Sequence, residues 1–93
     1  HFQLEIFYLQ IKKKKIGSDI YKIIKKTKNL INNKNYSFII KKLKKKIILL
    51  GANKIDYLEA IDLNTNKKIN IRTKKFKIFI AYYFRNVRLI DNI

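Results

Sequence analysis

Cysteine is absent from this 93-residue chain. Disulfides, thiolate metal sites and a thiol nucleophile are excluded with it. Tryptophan is missing too, so Phe and Tyr carry the whole aromatic share. Only two glycines occur, Gly17 and Gly51, which leaves no Gly-rich loop to cradle a phosphate through backbone N–H groups. Long apolar runs are lacking: Phe79–Phe84 falls far short of the roughly 18 residues a spanning helix needs. No charged leader precedes an apolar block, so the sequence predicts a soluble, cytoplasmic chain without a targeting peptide. Acidic residues are scarce, six against 23 Lys and Arg.

What remains is apolar and basic. A hydrophobic fraction of 47 % is enough to fold rather than stay disordered, and a chain of this length has room for one small core. The net charge of +17 admits two readings. A field of that size attracts nucleic acid or an anionic surface, as in a small RNA-binding protein of ribosomal type. The other reading is nucleotide bias, since Lys, Ile and Asn all come from codons rich in A and T, and Lys outnumbers Arg, the residue that grips phosphate bidentately.

Where the lysines fall decides between them. Leu4, Phe7 and Tyr8 are spaced as one helix face in Phe2–Ile11, and the run Lys12–Lys15 is expected to end that helix. Gly17 and Ser18 then punctuate, with Ser18 as N-cap and Asp19 at the positive end of a second helix reaching about Ile31. Ile20, Ile23, Ile24, Thr27, Leu30 and Ile31 form its apolar stripe, and Lys22, Lys25 and Lys26 point elsewhere. Asn32–Asn35 breaks the pattern. A third helix runs from about Ser37 to Leu50 and stops at Gly51, which suits a left-handed cap. Ile39, Ile40, Leu43, Ile47 and Leu50 make its stripe while Lys41 and Lys45 face away. The helical lysines thus occupy solvent faces, with no aromatic interleaved to stack bases, which favours the bias reading.

After Gly51 the period changes to two. Ile55–Asp62 and Phe76–Tyr83 read as strands, and Ile69–Arg72 as a possible short one. In Phe76–Tyr83, Phe76, Ile78, Ile80 and Tyr82 share one face and Phe79, Ala81 and Tyr83 the other, so this strand is expected to be central and partly covered by helices. About three helices followed by strands, without βαβ alternation, predict an α+β fold with helices on a small antiparallel sheet. No repeat or linker divides residues 1–93, which read as a single domain.

Candidate chemistry is sparse. His1, at a terminus without a neighbouring carboxylate, reads as a frayed end rather than a base. Asp56 and Asp62 are expected on one strand face and Glu59 on the other, as polar strand residues rather than a metal site. Arg88 and Asp91 are expected to pair locally and fix a turn. No catalytic, cofactor-binding or metal-binding residue is assigned to this chain.

Two segments carry a family likeness. Ile55–Thr65 (IDYLEAIDLNT) and Lys77–Ile93 (KIFIAYYFRNVRLIDNI) resemble the C-terminal domain of the pantoate–β-alanine ligases, also called pantothenate synthetases. Gly51, Asp56, Tyr57, Glu59, Asp62, Thr65, Ala81 and the closing Arg88-Leu89-Ile90-Asp91-Asn92 match that family in place and order. Asn66 and Lys68 depart from its usual Leu and Pro, and Arg85 and Val87 stand where it commonly has Gly and Thr. If that Gly has a positive φ, Arg85 carries a steric penalty.

The resemblance implies an enzyme of coenzyme A precursor synthesis that joins pantoate to β-alanine through a pantoyl-adenylate, using ATP and Mg²⁺. It implies a Rossmann-like N-terminal nucleotide-binding domain, absent from residues 1–93, that binds the cofactors and forms a homodimer. The family's His-x-Gly-His motif, phosphate-loop Lys and Ser-Ser-Arg-Asn stretch are not in these residues. The part implied for this chain is an inactive-alone lid closing over the adenylate, with no specific nucleic acid and no membrane as partner.

Overall fold

The computed structural model describes residues 2–93; His1, read above as a frayed end, lies outside them. Two helices precede three strands: α1 Phe2–Lys28, α2 Tyr36–Leu50, β1 Lys54–Asp62, β2 Phe76–Phe84 and β3 Val87–Asn92. The strands form one antiparallel sheet in the order β1-β2-β3. The α+β architecture and the central position of the strand at 76–84 therefore match the sequence pattern.

The helix count differs. The two helices expected before Asn32 are one α-helix of 27 residues, so neither Lys12–Lys15 nor Gly17 interrupts it and Ser18 is not a cap. Lysine is a good helix former, and one interior glycine costs only about 1 kcal/mol relative to alanine. Against that, Ile16, Ile20 and Ile24, spaced four apart, are all buried in the core, and packing of this kind stabilises a helix more than propensity does. Gly17 also lies close to Tyr82: a β-carbon there would stand 3.5 Å from its hydroxyl, an ordinary contact.

The helix ends at Lys28 rather than Ile31, and asparagine side chains build the connection. Asn32 Oδ1 accepts the N–H groups of Lys34 and Asn35, and Asn35 Oδ1 accepts that of Asn32. Asn35 Nδ2 donates to the Leu30 carbonyl. These bonds satisfy backbone groups that the helix leaves open and turn the chain back on itself. At its far end α2 stops at Gly51, whose φ of +126° is open to glycine and strained for other residues. Its N–H reaches the carbonyls of Ile47 and Ile48.

Both helices cover one face of the sheet. Ile20, Ile24, Leu43 and Ile47 pack with Leu58, Ile78, Ile80 and Tyr82 in a single core. The alternation of β2 places Phe79, Ala81 and Tyr83 on the opposite face. The outer edge of β1 is partly covered by its own loop: Asp62 N–H donates to Lys67 O, and Ile69 N–H to Ala60 O. Only one bridge, Ile61 with Lys68, forms there, and Ile71–Arg72 is a turn, so the short strand expected at Ile69–Arg72 does not exist. Among the described residues, β3 has no backbone partner on its outer side.

Between β2 and β3 lies the two-residue loop Arg85-Asn86. Arg85 has φ +54°, as the family likeness led one to fear for this position, and its N–H donates to Asn53 Oδ1. Asn66, the other non-glycine residue with positive φ, is of a type that tolerates that region.

Candidate functional site

The titratable groups are dispersed. Asp62, at the end of β1, is buried and accepts hydrogen bonds from Thr73 Oγ1 at 2.8 Å and from the backbone N–H groups of Asn64 and Thr65 at 2.7 and 3.2 Å. The Thr73 hydroxyl first, then these amides, hold its carboxyl below the usual carboxylate range. Asp62 thus organises the loop to β2. Its role was readable in Asp62-Leu63-Asn64-Thr65, since Asp readily bonds to backbone two and three residues ahead.

Asp56 does not share its face. The β1–β2 register shifts between Ile55 and Tyr57, and this bulge swings Asp56 to Arg88 on β3. Arg88 Nε and Nη2 both lie 3.0 Å from Asp56 Oδ2. Arg88 therefore does not pair with Asp91. Three residues apart on a strand, the two side chains leave opposite faces; Asp91 instead accepts the N–H of Asn92. Burial pushes the Tyr82 hydroxyl up, helped by the negative charge of Asp91. Among the described residues no three His, Asp or Glu side chains converge as a metal site.

What the fold does assemble is surface. The sheet face turned away from the helices presents Tyr57, Phe79, Tyr83 and Ile90 around a buried Ala81, with cations at its margins. The Arg88 guanidinium lies 5.9 Å from the Tyr57 ring and Lys54 Nζ 5.8 Å from that of Tyr83, within cation–π range. Lys77 Nζ donates to Asn92 Oδ1. A second surface is the first half of α1, in a molecule measuring 55 × 22 × 18 Å overall. Leu4, Phe7, Tyr8 and Ile11 stand exposed there, and Leu4, Tyr8 and Leu9 form a shallow depression with Arg85 of the β2–β3 loop. Sequence periodicity found the apolar face of this segment but not that no described residue covers it. No helix among the described residues is long and apolar enough to cross a membrane.

Comparison with known proteins places the chain in a family. The family pattern described as Pantoate-beta-alanine ligase matches residues 7–93. The pantothenate synthetase of Ruthia magnifica subsp. Calyptogena magnifica is 35% identical over 86 residues, covering 92% of this chain and 31% of that protein. The pantothenate synthetase of Vesicomyosocius okutanii subsp. Calyptogena okutanii is likewise 35% identical over 86 residues, 92% of this chain and 30% of its own length. No solved structure matches. The chain thus spans about three-tenths of the length of the curated relatives it matches. With the family pattern running from inside α1 to residue 93, just past β3, the chain belongs to the pantoate–β-alanine ligase family.

Proposed function

We propose that residues 1–93 serve as the C-terminal lid domain of a ligase that condenses pantoate with β-alanine through a pantoyl-adenylate, and that the chain is inactive alone. The observation that carries this reading is the extent of the family match, 7–93, against relatives more than three times as long. Among the described residues no three His, Asp or Glu side chains gather to hold Mg²⁺. Asp19 is taken up by Lys15, Asp56 by Arg88 and Asp62 by its loop. ATP and Mg²⁺ are therefore assigned to an upstream nucleotide-binding domain, which also makes the homodimer of a cytoplasmic enzyme.

The chain's own contribution is closure. An acyl-adenylate is hydrolysed by water, so a covering domain raises yield by excluding it. Support for such a role comes from the exposed Leu4, Phe7, Tyr8 and Ile11, an apolar patch of the kind that meets another surface. Translating the DNA in frame ahead of His1 tests the reading. A nucleotide-binding domain with His-x-Gly-His, ending in Ser-Ser-Arg-Asn, is the expected result; a frame without it overturns the assignment. Purified residues 1–93 are expected to show no pantoate-dependent exchange of pyrophosphate into ATP.

A further inference from the structure

The antiparallel helix pair carries a groove on its surface that the ligase reading leaves unused. At one end, Ile23 and Leu50 floor a depression rimmed by Lys22, Lys26 and Lys46, with Leu49 at its side. At the other end Leu30, Phe38 and Ile39 continue the apolar floor, and Lys42 and the same Lys46 form the rim. From Phe38 to Leu49 the groove follows α2 for about 16 Å, three helical turns.

Three features set it apart from a plainly solvated lysine face. First, large apolar side chains stand open among the cations: Leu49 is 85% exposed, Phe38 66% and Leu30 64%. Second, the cations Lys22, Lys26, Lys42 and Lys46 lack salt-bridge partners among the described residues, with Asp19 attracting Lys22 only through space. The acid at this groove, Asp19, is bonded to Lys15 at 2.8 Å. Third, one cation is already positioned, since Lys42 Nζ lies 5.4 Å from the centre of the Phe38 ring.

We propose that this groove docks an acidic amphipathic helix of a partner protein. The charge complement of this lysine rim is a row of Glu or Asp, and the complement of an open apolar floor three turns long is a helix with apolar anchors at i, i+3 or i+4, and i+7. The lysines steer the partner and fix its orientation, while Leu49, Phe38 and Leu30 supply the buried contact.

The chain has no Trp, which gives a clean test. A synthetic helix of about 14 residues, four turns, with Leu anchors, flanking Glu and one Trp on the apolar face is titrated with the full chain, and Trp emission is followed. The expected result is a saturable blue shift. Leu49→Ser and Lys42→Glu/Lys46→Glu should each weaken binding about tenfold, ordinary for loss of an interface anchor. Lys67→Glu/Lys74→Glu, the same charge change on the β1–β2 loop, should leave binding largely intact. Leu49 is exposed, so its replacement does not threaten the core, and circular dichroism checks the fold of each variant. Absence of a blue shift, or equal weakening by both double variants, overturns the proposal. Leu49-dependent binding to vesicles of phosphatidylcholine and phosphatidylglycerol without peptide binding would assign the groove to a membrane surface instead.

Discussion

The two halves of α1 are continuous in backbone and opposite in circumstance. From Ile16 onward the helix is held by Ile16, Ile20 and Ile24, each buried against α2 and the sheet. Ahead of Ile16, apolar residues of similar size, Leu4, Phe7, Tyr8 and Ile11, lie exposed. Local sequence makes both halves helical, but only one contributes to the core. The difference shows where the stability of this chain resides and which surface it holds in reserve.

The strongest way to break this contrast is to remove a buried anchor. Ile24→Ala should lower unfolding free energy by about 2–5 kcal/mol, a large share of a small domain's stability, whereas Phe7→Ala should change it by less than about 0.5 kcal/mol. Urea unfolding followed by circular dichroism compares the two; equal losses would mean that the first half of α1 is packed after all. Gly51→Ala comes next. A β-carbon there would stand 2.7 Å from Ile16 Cδ1 at a φ of +126°, so the end of α2 and the first anchor of α1 would be disturbed together, at about 2 kcal/mol.

Two substitutions should stabilise. Gly17→Ala, at the junction of the two halves, should gain about 0.5–1 kcal/mol, because the methyl meets Tyr82 at an ordinary distance and an interior helical glycine is removed. A loss would mean that the halves need a flexible joint. Arg85→Gly, beside the first half of α1, relieves a left-handed residue, and after the entropy of glycine is subtracted the gain should be about 0.5 kcal/mol by thermal melting.

The smallest effect concerns pH and lies wholly in the packed body. The carboxyl of Asp62 titrates lower in the folded chain than its ordinary value of 3.8, so the unfolded chain binds the proton more readily. Its stabilisation is present above that ordinary value and is lost as pH falls through the lowered one. Asp19, held low by Lys15, acts in the same direction. Asp62→Asn should therefore make the acid side of a stability–pH curve shallower without removing it.

Much of this fold is legible in the sequence where pattern and packing agree. The stripe Ile39, Ile40, Leu43, Ile47, Leu50 located α2, the alternation in Phe76–Tyr83 located the central strand, and Gly51 marked a positive φ. The failures share a cause: long-range packing outweighed a local signal. Gly17 and Ser18 look like a boundary, yet three isoleucines on one stripe carry the helix across. Arg88 has Asp91 nearby in sequence, yet strand alternation separates them and the bulge at Asp56 supplies another carboxylate. The candidate surfaces were half legible. Sequence periodicity can say that a face is apolar, but whether another element covers it depends on topology.

The unpaired outer side of β3 has a consequence for how copies of this chain behave together. With β1 partly closed by its own loop, the most open address for strand addition between copies, among the described residues, is the row of outward N–H and C=O groups along Val87–Asn92. At that address each arriving copy brings a charge of +17, and the mutual repulsion reaches only about one Debye length, roughly 10 Å at 0.1 M salt. Ionic strength is thus the control on association: dilute buffer keeps the edges apart, and concentrated salt lets them meet.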